Sequence, residues 1–115
     1  MTTFDTGRKA EDAAAEYLQS RGYSVLVQNW RLRSCEIDLV VSKDGVVYCV
    51  EVKYRQNDRQ GGGIEYVTPA KLRQMQFAAE QWVHATKWPG AYQLAAAEVS
   101  GDSYEVTDFI DDIIL

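Results

Sequence analysis

Glu36-Ile37-Asp38-Leu39-Val40-Val41-Ser42-Lys43-Asp44-Gly45-Val46-Val47-Tyr48-Cys49-Val50-Glu51-Val52-Lys53 reads as two strands folding back on each other around Asp44-Gly45. Asp-Gly supplies the positive φ that a two-residue type I′ turn needs, and both flanks are rich in β-branched and aromatic residues. With Lys43 opposite Val46, counting outward sets Val40 against Cys49, Asp38 against Glu51 and Glu36 against Lys53. Side chains alternate along a strand, so Ile37, Leu39, Val41, Val46, Tyr48, Val50 and Val52 share one apolar face, which must be core. The other face carries Val40, Val47 and Cys49 near the turn and Glu36, Asp38, Glu51 and Lys53 at the far end.

Like charges opposed across two strands cost on the order of 0.2–1 kcal/mol, and a cation between them reverses the sign. Converging carboxylate oxygens are hard ligands suited to Mg²⁺ or Mn²⁺, and Lys53 places a positive charge beside them. Charges at alternate strand positions are most often just the solvated face of an antiparallel sheet. Here acid opposes acid, and the same face holds Val40, Val47 and Cys49. Both features, together with strands apolar enough to be covered on both sides, argue against a merely solvated face.

Outward from the hairpin, Ala10, Ala13, Ala14, Tyr17 and Leu18 recur at helical spacing and predict a helix from Asp5 to Arg21, with Gly22 at C′. Tyr23, Val25 and Val27 alternate as a first strand, with Leu26 out of pattern, and Gln28 to Ser34 reads as a polar loop containing Arg31 and Arg33. After the hairpin, the stretch from Tyr54 through Gly61-Gly62-Gly63 is polar, basic at Arg55 and Arg59, and has the composition of a mobile segment. Thr68-Pro69 is an N-cap followed by proline at N1. Leu72, Met75, Ala79, Trp82 and Val83 then form the apolar stripe of a second helix that ends before Trp88-Pro89-Gly90. Tyr92–Val99 and Tyr104–Phe109 read as two further strands around Gly101-Asp102, followed by an apolar tail at Ile110, Ile113, Ile114 and Leu115. Helix, three strands, helix, two strands is the order of a small α/β layer fold, with a strand-helix-strand crossover able to cover the sheet.

The 115 residues are expected to form one domain, 1–115, able to bury a core without disulfides or metals. No apolar run approaches the length of a membrane span, and the expectation is a soluble cytoplasmic protein without membrane contact. Cys35 and Cys49 lack metal-ligand spacing and do not oppose each other in the hairpin, so both read as free thiols. The sole histidine, His84, lies in a helical stretch without a partner motif, which argues against a zinc site or a histidine base. The net charge of −5 disfavours long-range attraction of phosphates. Residues 1–91 nevertheless hold all twelve Lys and Arg against eleven acids, whereas residues 92–115 hold six acids and no base. A near-neutral body with local basic clusters can still hold a nucleic acid.

Gly7-x-x-x-Glu11-x-x-Ala14-x-x-Tyr17-Leu18, Gly22-Tyr23, Asn29-x-Arg31, Glu36-Ile37-Asp38-Leu39, Val50-Glu51-Val52-Lys53-x-Arg55 and Lys71 together resemble the YraN-type family of small bacterial endonuclease-like proteins, over most of residues 7–85. That family is similar to archaeal Holliday junction resolvases and to the PD-(D/E)XK nuclease superfamily. The resemblance implies a restriction-endonuclease-like α/β fold, with a mixed central sheet flanked by helices in three layers. It implies a nuclease that hydrolyses DNA phosphodiester bonds with Mg²⁺ or Mn²⁺, on branched or damaged DNA in recombination or repair. Asp38 and Glu51 become metal ligands, joined by the Val52 carbonyl and by Glu11 from the first helix, and Lys53 becomes the group that orients the attacking water and stabilises charge on the phosphate.

Arg31, Arg33, Arg55, Arg59, Lys71 and Arg73 are candidates for phosphate contacts that position DNA without reading its sequence. Symmetric cutting of a junction would require a homodimer with two sites. Two departures stand out. Cys35 replaces the glycine usual before Glu36, and Tyr92-Gln93-Leu94 replaces an Arg-Phe-Asp-like start to the fourth strand. The acidic C-terminal part and that altered strand keep a competing reading open, a non-catalytic module of the same fold that binds nucleic acid or a protein partner.

Overall fold

The computed structural model describes residues 3–56 and 67–113. Arg59 and the three glycines at 61–63 lie outside them. The elements run α1 (Thr3–Ser20), β1 (Ser24–Leu32), β2 (Cys35–Lys43), β3 (Val46–Arg55), α2 (Pro69–Thr86), β4 (Ala91–Ser100) and β5 (Glu105–Ile110). The strands form one five-stranded sheet in the order β1-β2-β3-β4-β5. All neighbours are antiparallel except β3 and β4, which are parallel and joined through α2. A parallel pair requires a long crossover, and α2 supplies it.

One helix covers each face. Ala10, Ala14, Ala15 and Leu18 of α1 pack on Leu39, Val41, Val50, Ala95, Ala97 and Val99. Leu72, Met75, Ala78, Ala79 and Trp82 of α2 pack on Ile37, Val40, Val47, Cys49 and Leu94. This is the expected three-layer α/β arrangement, and it explains why the hairpin strands are apolar on both sides: each face is core for a different helix. Burial also pushes the Cys49 thiol up to about 12, which leaves it an inert filler of the α2 side. Among the described residues no helix is long and apolar enough to cross a membrane.

The hairpin register is the counted one from Lys43–Val46 through Val40–Cys49 to Leu39–Val50. Asp44 and Gly45 adopt φ 51° and 80°, as a type I′ turn demands. α2 starts as its sequence predicts, with Thr68 Oγ1 accepting a hydrogen bond from Lys71 N at 3.1 Å and Pro69 following the cap. It stops at Lys87, whose φ of 58° is the left-handed C-cap.

Two expectations are corrected. Gln28–Leu32 is strand and not loop, because β1 keeps pairing with β2 through Leu32–Cys35. The polar run hid this because β1 breaks strict alternation twice. It bulges between Val25 and Val27, leaving Leu26 exposed, and it turns at Asn29, where φ is 55°. The second correction follows from the first. Ile37 does not share the face of Leu39 and Val41, but packs on the α2 side with Val40 and Val47. Trp30, its partner in β1, packs against the same cluster. Both strands therefore exchange faces around Asn29 and Asp38.

Candidate active site at the opening of the β2–β3 ladder

The face exchange creates the site. In an unbroken two-residue hairpin the N–H of Val52 would donate to the carbonyl of Ile37. Instead it donates to Asp38 Oδ2 at 2.8 Å, so the carboxylate replaces a rung of the ladder and is drawn between the strands. Burial first, and the nearby charge of Glu51 second, raise the Asp38 carboxyl from its ordinary 3.8 to about 7, against the opposing pull of the Val52 N–H. The described register stops at Leu39–Val50, one step short of the counted Asp38–Glu51 pair, and the two carboxylates are linked by the charge of Glu51 felt at Asp38.

Glu51 and Lys53 lie at alternate positions of β3, on the side away from Val50 and Val52, which pack toward α1. Lys53 is exposed. Glu51 is held by α2, with Lys71 Nζ 3.0 Å from Glu51 Oε2. The two line a cleft of about 660 Å³ together with Glu36, Arg73, Gln74 and Phe77. Glu36 does not face Lys53; it pairs with Arg31 of β1, Nε to Oε2 at 3.3 Å, on the open surface.

Glu11 approaches from α1. Its Oε1 accepts a hydrogen bond from Asn29 Nδ2 at 2.6 Å, and Gln28 Nε2 donates to Asp12 Oδ1 at 3.1 Å beside it. The left-handed turn at Asn29 thus ties β1 to α1. Burial raises the Glu11 carboxyl, and the Asn29 bond counteracts it. Glu11 also contributes to the repulsion felt by Asp38, but less than Glu51 does. Among the described residues no three His, Cys, Asp or Glu side chains converge into a metal-holding group.

The basic candidates separate. Arg33 lies exposed in the turn between β1 and β2, and Arg73 lies exposed on α2. Arg55, expected on a loop, ends β3 with its side chain only 13% exposed, its Nε 2.7 Å from Glu98 Oε2. Tyr54 packs on Tyr104 with ring centroids 5.2 Å apart and donates its hydroxyl to the Gly101 carbonyl at 3.0 Å.

Glu98 is the residue that sequence reasoning passed over. It is 4% exposed, stands beside Lys53 in the parallel β3–β4 register, and accepts a hydrogen bond from Thr107 Oγ1 at 3.0 Å. The available signal was an acid inside the apolar run Leu94-Ala95-Ala96-Ala97-Glu98-Val99, since a charge so placed must be paired.

The raised Asp38 carboxyl has a consequence for stability. Between its ordinary 3.8 and about 7 the folded protein holds a proton that the unfolded chain has released, so this group makes stability fall as pH rises through that window. Asp38→Asn keeps an oxygen for the Val52 N–H and removes the charge. It is expected to stabilise the protein by roughly 1–4 kcal/mol at pH 8 and to make no difference below pH 4. Thermal melts of both proteins from pH 3.5 to 8.5 check this; a variant that melts lower than wild type at pH 8 refutes it.

Comparison with known proteins agrees with the extent of this fold. Residues 10–109 match the family described as "Uncharacterised protein family UPF0102". Similar proteins, each bearing the name UPF0102 protein, occur in Neisseria gonorrhoeae, 41% identical over 81 residues and 70% of each chain, and in Mycolicibacterium gilvum, 46% identical over 89 residues and 72% of each chain. One from Cytophaga hutchinsonii is 30% identical over 106 residues, which cover 92% of this chain and 94% of its own.

Proposed function

Since the chain belongs to the uncharacterised protein family UPF0102, whose name assigns no activity, we propose a function from the site itself: a PD-(D/E)XK-type nuclease that hydrolyses DNA phosphodiester bonds with Mg²⁺ or Mn²⁺. The observation that carries this reading is the opened β2–β3 ladder, where Asp38 replaces a rung and meets the charge of Glu51, with Lys53 two residues further along β3.

The donor set suits a hard cation that keeps most of its own water, since Mg²⁺ is usually held by one or two carboxylates plus substrate phosphate and not by a full protein cage. Asp38 and Glu51 would hold it, with Glu11 behind Asp38. When bound, such a cation supplies an acidified water and neutralises charge growing on the phosphoryl oxygens. The chain's own residues do the rest. The Val52 N–H fixes the Asp38 carboxylate. Lys53 presents a compact, mobile ammonium that can orient a water and a phosphate oxygen. Exposed Arg73, which lines the cleft, and exposed Arg33, which precedes the cleft-lining Ser34, offer contacts to the DNA backbone.

The test is cleavage of labelled single-stranded, duplex, flap and four-way-junction DNA with Mg²⁺ or Mn²⁺ by wild type and Glu51→Ala. Metal-dependent cutting that disappears in the variant supports the proposal. The absence of cutting on every substrate overturns it.

One observation favours a second reading. Lys71 already pairs with Glu51, so the acidic cluster is partly neutralised without a metal, as a non-catalytic nucleic-acid-binding or protein-interaction module would need. A chain whose melting temperature ignores millimolar Mn²⁺ would support that module.

A further inference from the structure

Lys71 stands in the first turn of α2, where the helix dipole disfavours a cation and favours an acid, yet that turn contains no acid. Its backbone N–H is already committed to the Thr68 cap. The ammonium reaches across the layer to Glu51 Oε2 at 3.0 Å, with side-chain exposures of 37% and 20% for Lys71 and Glu51. The pair closes one side of the cleft that also holds Glu36 and Arg73. Glu51 therefore has a resident counter-ion, while Asp38, which feels the charge of Glu51, takes its one described hydrogen bond from the Val52 backbone.

Resting on the nuclease reading, we propose that Lys71 is an internal stand-in for the divalent cation. Loading of the metal at Asp38 and Glu51 displaces the Lys71 ammonium from Glu51, and the freed ammonium becomes a phosphate-holding group in the same cleft. The exchange needs only a rotation of a long side chain that is more than one-third exposed. Its driving force is the greater charge of the incoming ion on a carboxylate that cannot fully satisfy both cations. The device keeps Glu51 compensated in the metal-free protein and couples a phosphate contact to a loaded site.

The test is titration of the full chain with Mn²⁺, read by calorimetry and by the spin resonance of free Mn²⁺, for wild type, Lys71→Met, Lys71→Arg and Arg73→Gln. Lys71→Met is expected to bind Mn²⁺ about three- to ten-fold more tightly, because a competing ion pair of ordinary strength is gone. Lys71→Arg should stay close to wild type. Arg73→Gln, which removes a cation from the same cleft but not from Glu51, should shift affinity by less than about two-fold. Melting curves confirm that each variant is folded, and Lys71→Gln repeats the neutralisation should Lys71→Met fail to fold.

Equal or weaker Mn²⁺ binding by the neutral Lys71 variants, beside measurable binding by wild type, overturns the exchange and leaves the nuclease reading standing. An equal gain in Arg73→Gln also overturns it, since the effect would then be only the general field of the cleft. If neither wild type nor variant binds Mn²⁺, the exchange and the nuclease reading fall together.

Discussion

Replacing Lys53 by alanine is expected to lower metal-dependent DNA cleavage by about 10²–10³-fold, the usual cost of deleting one group aimed at charge that develops in a transition state. Mn²⁺ affinity should change by no more than about two-fold, because an exposed ammonium two residues from a ligand acts through a largely screened field. The separation of the two readouts is the content of the prediction. Lys53 is exposed at the outer end of β3 and makes no described ion pair, so its removal should leave the melting temperature near that of wild type. Lys53→Arg should rescue poorly, since a planar fork does not reproduce a compact point charge. Single-turnover cleavage with saturating Mn²⁺, alongside a metal titration of the same proteins, measures both. Cleavage by Lys53→Ala at the wild-type rate would remove this residue from the chemistry.

The second large effect concerns stability. Arg55 and Glu98 form an ion pair whose side chains are 13% and 5% exposed, and Glu98 also accepts from Thr107, which contacts Ser100 Oγ at 3.2 Å. Breaking a buried pair from one side strands the other charge, at about 3–5 kcal/mol. Against a total of roughly 5–15 kcal/mol for a domain, Glu98→Leu and Arg55→Met should each lower the melting temperature by more than about 10 °C.

The double variant Arg55→Met/Glu98→Leu removes both charges and should recover most of that loss, because apolar replacement of a buried pair is often neutral. Urea unfolding of the four proteins forms a double-mutant cycle. Additive losses in the double variant would show that the two side chains are not coupled. The pair also pins the end of β3 to β4 beside Lys53, whose register partner is Glu98. Arg55 is therefore better placed to hold the site's strand than to touch DNA.

What the chain reveals without its structure is what depends on neighbours in sequence. The Asp44-Gly45 turn sets its own positive φ values, and the hairpin pairs from there follow by counting. Thr68-Pro69 starts α2 and Lys87 ends it through local hydrogen bonds, and apolar periodicity identifies both helices. The alternation of helices and strands suffices for the α/β class, because parallel strands need a long crossover and α2 is the element that lies between β3 and β4.

The same locality explains where reading failed. Asn29 leaves the ordinary strand region in exchange for pairing with Glu11 on α1, a partner eighteen positions away. That exchange lets β1 run on through residues that look like loop, and it sends Ile37 to the other core.

Charge partners were equally hidden. The order of residues put Asp38, Glu51 and Lys53 toward the open end of one hairpin. Only the tertiary structure decided which positive group each acid meets: Lys71 for Glu51, Arg55 for Glu98 and Arg31 for Glu36. It also decided that Asp38 meets a backbone N–H and a like charge. The reason is physical. A turn or a cap is determined by a few adjacent dihedral angles, whereas an ion pair across layers depends on which strand lies beside which, and here β4 lies next to β3 only because α2 carries the chain back over the sheet.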